Sequence, residues 1–402
     1  MSLFSAVEMA PRDPILGLNE QYNADTNPNK VNLGVGVYFD DNGKLPLLQC
    51  VQAAEHTMME KPTARGYLPI DGIAAYDAAV KALVFGADSD VVKSGRVATV
   101  QAIGGTGGLK IGADFLKKVS PNAKVLISDP SWENHRALFS TAGFTVETYP
   151  YFDQSANGGL GGINFDGMLA ALNAAPAGTI VLLHACCHNP TGYDISAAQW
   201  DQVIEAVKAR DLTAFLDMAY QGFGYGIAED GAVIGKFVAA GLNIFVSTSF
   251  SKSFSLYGER VGALSVVGSS KEETDRVLSQ LKIAIRTNYS NPPTHGGAIV
   301  AAVLNNPELR AQWEGELAEM RVRIKAMRQK LVDGLKAAGV TQDMSFITTQ
   351  IGMFSYSGLS KDQMVRLRSD FGVYGTDTGR MCVAALNSKN IDYVCQAIAK
   401  VI

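Results

Sequence analysis

The chain has 402 residues, with 35 Lys plus Arg against 39 Asp plus Glu and a formal net charge of -4. That length implies two or three domains with a large core, and the near balance of charge excludes an electrostatic case for nucleic acid or an anionic membrane as partner. Met1 to Arg12 carries Glu8 and lacks the apolar core of a secretory signal, and no apolar run approaches the roughly 20 residues that span a bilayer, so a soluble, cytoplasmic protein is expected.

In chain order, Ile15 to Tyr22 has a helical pattern, and Val31 to Val37 alternates as a strand, with Gly34 and Gly36 where backbone can approach a ligand. From Arg96 onward short apolar runs alternate with helical ones. The runs are Val97 to Ile103, Val125 to Ser128, Thr145 to Tyr149, Ile180 to Ala185, Ala214 to Asp217, Ile244 to Thr248 and Ala263 to Val267. Helices fit between several of them, over Gly108 to Lys118, Trp132 to Ala142, Phe165 to Ala174 and Ala197 to Arg210. This alternation predicts an α/β fold, a seven-stranded, mostly parallel sheet with helices on both faces. Between Ser249 and Gly262 the chain is barely long enough for a crossover helix, so the last strand is expected to run antiparallel to its neighbour.

A long helical pattern then covers Pro307 to Ala338, opened by Asn306-Pro307-Glu308 as cap, first-turn proline and first-turn acid. It carries the chain into a smaller α/β domain. Because residues 13–45 are too few to fold alone, that domain is expected to combine 13–45 with 313–402, leaving 46–312 as the large domain and 1–12 as an N-terminal arm. The five cysteines, an odd number without repeating spacing, fit free thiols in a reducing compartment.

Four stretches carry chemistry. Gly104-Gly105-Thr106-Gly107-Gly108 follows a strand and opens a helix, so its N-H groups suit a phosphate. It lacks the last glycine of the dinucleotide fingerprint, although Asp129, at a strand end further on, keeps a nicotinamide-binding protein as the alternative of another class. His184-Ala185-Cys186-Cys187-His188-Asn189-Pro190 looks like a metal site, but on a strand His184 and His188 would stand about 13 Å apart and the two thiols on opposite faces, so no metal is expected. Asp217 and Tyr220 lie three residues apart at a strand end, where a helix cap and core packing compete with a ligand site. Finally Ser249-Phe250-Ser251-Lys252 places an amine at another strand end, either solvated or desolvated as a nucleophile, with Arg260 close behind. A lysine, an acid and a phosphate cradle together are what pyridoxal phosphate requires, and Trp132 could stack on its ring.

In their order along the chain these motifs, with Ser131-Trp132-Glu133-Asn134-His135, Asp217-Met218-Ala219-Tyr220-Gln221-Gly222-Phe223 and Tyr257-Gly258-Glu259-Arg260, resemble the class I (fold type I) aminotransferases. The resemblance runs from about Asp13 to Ile402 and falls in the aspartate and aromatic subgroup, nearest the bacterial aromatic branch. It implies pyridoxal 5'-phosphate in a Schiff base with Lys252, which also moves the proton, with Asp217 on the pyridinium and Tyr220 and Asn189 on the ring oxygen. Gly105, Thr106, Ser249 and Arg260 would take the phosphate, and Trp132 the ring face. His135 would support Asp217, and Gly104 stands where many relatives have a serine. Arg380 and Gly36 would bind the substrate α-carboxylate, beside Trp132 and Asn189. Tyr67 and Arg286 would reach in from the second subunit of a homodimer with shared active sites, Arg286 toward the distal carboxylate of aspartate or glutamate. The implied reaction moves the amino group of tyrosine, phenylalanine or aspartate to 2-oxoglutarate by a ping-pong cycle. The alternatives are a strict aspartate aminotransferase, or β-decarboxylation or elimination on the same fold.

Overall fold

The computed structural model describes residues 2–402, so Met1 of the expected arm lies outside the described residues. Seven strands form the central sheet: β1 (Val97–Ile103), β2 (Lys124–Asp129), β3 (Thr145–Pro150), β4 (Ile180–His184), β5 (Thr213–Met218), β6 (Ile244–Ser249) and β7 (Val261–Val267). Their spatial order is β1-β7-β6-β5-β4-β2-β3. Neighbours pair in parallel except β7, which is antiparallel to both β1 and β6. The short link between Ser249 and Val261 turns back on itself through a single 3-10 turn, Tyr257–Glu259, as its length demands.

Side chains alternate across this sheet because strand residues point to opposite faces. Phe215, Phe245 and Leu264 pack on one face with Leu109, Phe139 and Leu281. Leu216, Val246 and Ala263 pack on the other with Tyr76, Phe237 and Val300. Apolar residues on both faces explain why these strands read as continuous apolar runs.

Helix α1 (Gly104–Val119) begins directly where β1 ends, four residues earlier than its apolar periodicity predicts. Its glycines let it lie close against the sheet: a Cβ at Gly108 would stand 2.8 Å from the Ala263 carbonyl oxygen, and one at Gly112 2.5 Å from the Phe215 ring. Two later helices matter for the site, α2 (Lys271–Asn288) and α3 (Pro307–Ala337). The Asn306 side chain caps α3 as expected, accepting from the N-H groups of Glu308 and Leu309.

The expected strand from Val31 to Val37 is cut to Val31–Asn32, which pairs in parallel with Val373–Tyr374. The cause is local: Asn32 Oδ1 accepts from the Gly34 N-H at 3.0 Å, a side-chain turn that replaces the ladder. Phe354–Tyr356 pairs antiparallel with Arg380–Cys382, which brings a carboxyl-terminal arginine back toward the large sheet. Among the described residues no helix is long and apolar enough to cross a membrane.

Candidate active site

The ends of β1, β4, β5 and β6 converge on a cavity of about 270 Å³, at the sheet edge where open α/β sheets bind ligands. Of the residues proposed from the sequence, Gly36, Gly105, Thr106, Trp132, Asn189, Asp217, Tyr220, Ser249, Lys252, Arg260 and Arg380 all line it. Tyr67 and Arg286 do not. Tyr67 is 96% exposed, and Arg286 lies on the exposed face near the end of α2, bonded only to Ser290.

One end of the cavity is an anion cradle. No side chain caps the amino end of α1, so the first-turn N-H groups after Gly104 have no capping partner and suit an anion. The Gly104 N-H donates to the Arg260 carbonyl at 3.0 Å, and Arg260 itself holds a left-handed φ of 54°. A non-glycine residue there is strained and marks a position that its surroundings enforce. The guanidinium donates to Ser251 Oγ at 3.3 Å and to the Tyr257 carbonyl at 2.9 Å. Gly104 also has φ +65, and a Cβ on it would stand 2.5 Å from Arg260 Nη2, so the glycine leaves this guanidinium its place.

The middle carries the titratable groups. His135 Nε2 lies 2.8 Å from Asp217 Oδ2, and Ser131 Oγ lies 2.8 Å from His135 Nδ1, so the imidazole donates to the carboxylate and the serine fixes its other side. Burial pushes the Asp217 carboxyl up, but the His135 hydrogen bond and the charges of His135, His184 and Lys252 outweigh it and hold the group below its usual value. Lys252 Nζ sits 4.9 Å from the centre of the Tyr220 ring. Burial, opposed by Asp217 and reinforced by Arg260 and Arg380, brings this amine down to about 8. Burial also raises the Tyr220 phenol, with Arg380 opposing, so it stays protonated.

The lysine turn is held from outside. Trp313 of α3 donates its ring N-H to the Ser253 carbonyl at 2.7 Å and stacks on Phe254 at 4.6 Å. Ser255 Oγ donates to the Pro46 carbonyl at 2.7 Å. Ser253 and Ser255, next to the lysine in sequence, thus anchor the turn rather than bind a ligand.

At the far end Arg380 is 1% exposed, donating to Asn189 Oδ1 at 3.0 Å and to the Gly34 carbonyl at 2.7 Å, while its Nε has no partner. Its guanidinium carbon lies 4.3 Å from the centre of the Phe354 ring. That ring fits because residue 36 is glycine: a Cβ there would stand 2.7 Å from Phe354. Arg328, also buried, donates to the carbonyls of Gly352 and Phe354 at 2.8 and 2.6 Å and fixes this platform. Phe354 and the apolar wall residues Ile15, Val35 and Val37 carry no sequence signal of a site.

The geometry argued for the His-Cys-Cys-His stretch is wrong. His184 and His188 have ring centres 4.2 Å apart, and Cys186, Cys187 and Asp230 bring their ligand atoms within 4.8 Å of one another. The strand stops at His184, and the chain then turns through Cys187 at φ 52°. Asp194 holds the turn by accepting from the N-H groups of Cys187 and His188 at 2.6 and 2.8 Å. Asp230 already accepts from the N-H groups of Gly222, Gly224 and Tyr225.

Fold and cavity together define a fold type I transferase. The family model for aminotransferases of class I and II matches residues 28–398. The chain is 60% identical to an aspartate aminotransferase of Pseudomonas aeruginosa over the full length of both. It is 50% identical to the aromatic-amino-acid aminotransferase of Escherichia coli, over 99% of this chain and all of that one. The crystal structure of an aromatic-amino-acid aminotransferase from Burkholderia pseudomallei, covalently bound to pyridoxal phosphate, superposes with a TM-score of 0.96 at 67% identity over all of both chains. The chain belongs to the class I and II aminotransferases.

Proposed function

We propose that this aminotransferase uses pyridoxal 5'-phosphate to move the amino group of aspartate and of tyrosine or phenylalanine to 2-oxoglutarate. The observation that carries the reading is one cavity holding an uncapped helix end, a lowered amine and an ionised carboxylate. These residues fit the cofactor: the α1 amino end with Ser249 and Arg260 for its phosphate, Asp217 for its ring nitrogen, Asn189 and Tyr220 for its ring oxygen, Trp132 for its face and Lys252 for its aldehyde. When bound, the cofactor supplies the electron sink that makes an amino acid's α-proton removable.

The chain supplies the rest. Lys252, lowered to about 8, is partly neutral at working pH and can take a proton at Nζ and return it. Asp217, held below its usual value by the His135 hydrogen bond, would hold the cofactor's ring nitrogen and favour its protonated form. Arg380, preset by Asn189, Gly34 and the Phe354 ring, presents a fork to the α-carboxylate with little left to order on binding.

Tyr67 and Arg286, exposed here, act in the cavity of a second copy, Tyr67 on the phosphate and Arg286 on the distal carboxylate. The working unit is then a homodimer. Residues 46–312 form the cofactor domain, 13–45 with 313–402 the smaller one and 1–12 an arm. Five buried free thiols support a reducing, cytoplasmic setting. Initial rates with aspartate, tyrosine and phenylalanine against 2-oxoglutarate test the substrate range. Activity on all three is expected; activity on aspartate alone would make this a strict aspartate aminotransferase, and on none would remove the assignment.

A further inference from the structure

The turn that follows β4 carries two adjacent thiols that the ligand cavity does not use. On a strand Cys186 and Cys187 would face opposite sides, but Cys187 takes φ 52°, and the buried thiols meet the buried Asp230 carboxylate, ligand atoms of all three lying within 4.8 Å of one another. That left-handed backbone is strained in a residue other than glycine. Gly352 makes room for it: a Cβ there would stand 2.6 Å from Cys187 Cβ. Asp230 Oδ2 accepts from the N-H groups of Gly222 and Gly224, whereas Oδ1 accepts from Tyr225 alone and keeps a lone pair.

Space and charge on other elements suit an ion at this point. Cys186, Asp194 and Asp230 line a second cavity of about 480 Å³, which shares no wall residue with the first and has room for water. Arg328 is 2% exposed yet donates only to neutral acceptors, the carbonyls of Ile347, Gly352 and Phe354 and the Gln350 side chain. A buried cation without a counter-ion is costly, and the opposite charge that acts on it most strongly is an ionised Cys187. Two thiolates and a carboxylate around a divalent cation leave a single negative charge, which Arg328 offsets.

We infer that Cys186, Cys187 and Asp230 bind one thiophilic divalent cation of the zinc class, with a water from the second cavity as fourth ligand. Each thiol releases its proton to solvent as its bond to the metal forms. The ion ties the turn that leads to Asn189 to the loop after Tyr220, whose carbonyl lies 3.8 Å from Cys187 Sγ. It thereby clamps two walls of the ligand cavity from outside, and the site does not depend on the cofactor reading.

The test titrates the loaded enzyme, its thiols kept reduced, with cadmium as the spectroscopic probe. One cadmium per chain with a thiolate-to-metal charge-transfer band is expected, together with a raised thermal midpoint. Cys186→Ser and Cys187→Ser should each weaken binding by at least about tenfold, and Cys395→Ser, on another helix, should leave it unchanged. No charge-transfer band, or the same band and affinity in both turn variants, would overturn the inference. X-ray absorption at the cadmium edge reads the donor set in the wild type, whether or not the variants fold: two sulfur neighbours support the site, and a shell of oxygen and nitrogen alone contradicts it.

Discussion

The cavity wall and the two outlying residues make the instructive contrast in this molecule. Lys252, Asp217, Asn189 and Arg380 sit at strand ends or on a fixed platform, each held by named partners. Tyr67 and Arg286 are equally part of the expected site, yet both lie on the surface away from the cavity, Arg286 bonded only to Ser290. We propose that a single chain builds the chemistry and the α-carboxylate grip. Selection of the rest of the substrate is, on our reading, left to a second copy.

Four changes break or sharpen that contrast. The largest effect belongs to the wall: Lys252→Ala is expected to lower turnover by about 10⁴-fold or more, while the anion cradle and Asp217 still retain cofactor through gel filtration. Undiminished turnover would refute the role of the lysine. Next comes an outlying residue. Arg286→Asp should cut kcat/KM for aspartate by about 10²-fold or more but for phenylalanine by less than about tenfold, since only aspartate offers a distal carboxylate. Equal losses on both would return Arg286 to an ordinary surface charge.

The third change reads the wall without a reaction. Lys252 falls from 10.5 to about 8 in the folded, ligand-free protein, so between those values the unfolded chain binds the extra proton and stability rises with pH. Below about 8 the buried ammonium costs the fold its full penalty. Lys252→Met should therefore stabilise the ligand-free protein at pH 7, by roughly 3 kcal/mol at most, with the gain shrinking as pH climbs toward 10.5. Chemical denaturation at pH 7 and pH 10 checks the sign, and a destabilised variant at pH 7 would show that the amine is not desolvated. Smallest is Tyr67→Phe, where one phosphate hydrogen bond is at stake and cofactor affinity should drop about three- to tenfold in the dimer. A loss of that size in protein diluted to monomers would contradict its reaching across.

Periodicity served the sequence reading well where burial is uniform. All seven sheet strands lie where apolar runs place them, because strands covered on both faces need such runs, and the short link before Val261 gave away the antiparallel β7. It failed where a single side chain redirects the backbone. Asn32 ends a strand that alternation carries to Val37, and Asp194 folds a turn where strand spacing separates two histidines that in fact nearly touch. The polar members of the site were visible as motifs at strand ends. Phe354 was not, since an aromatic under a buried arginine looks like any core residue.

The central claim is that Lys252 carries the cofactor in the cavity at the ends of β1, β4, β5 and β6. Reduction of the loaded enzyme with borohydride, followed by peptide mass mapping, tests it directly. A pyridoxyl group on Lys252 is the predicted result; labelling of another lysine, or of none, would contradict it.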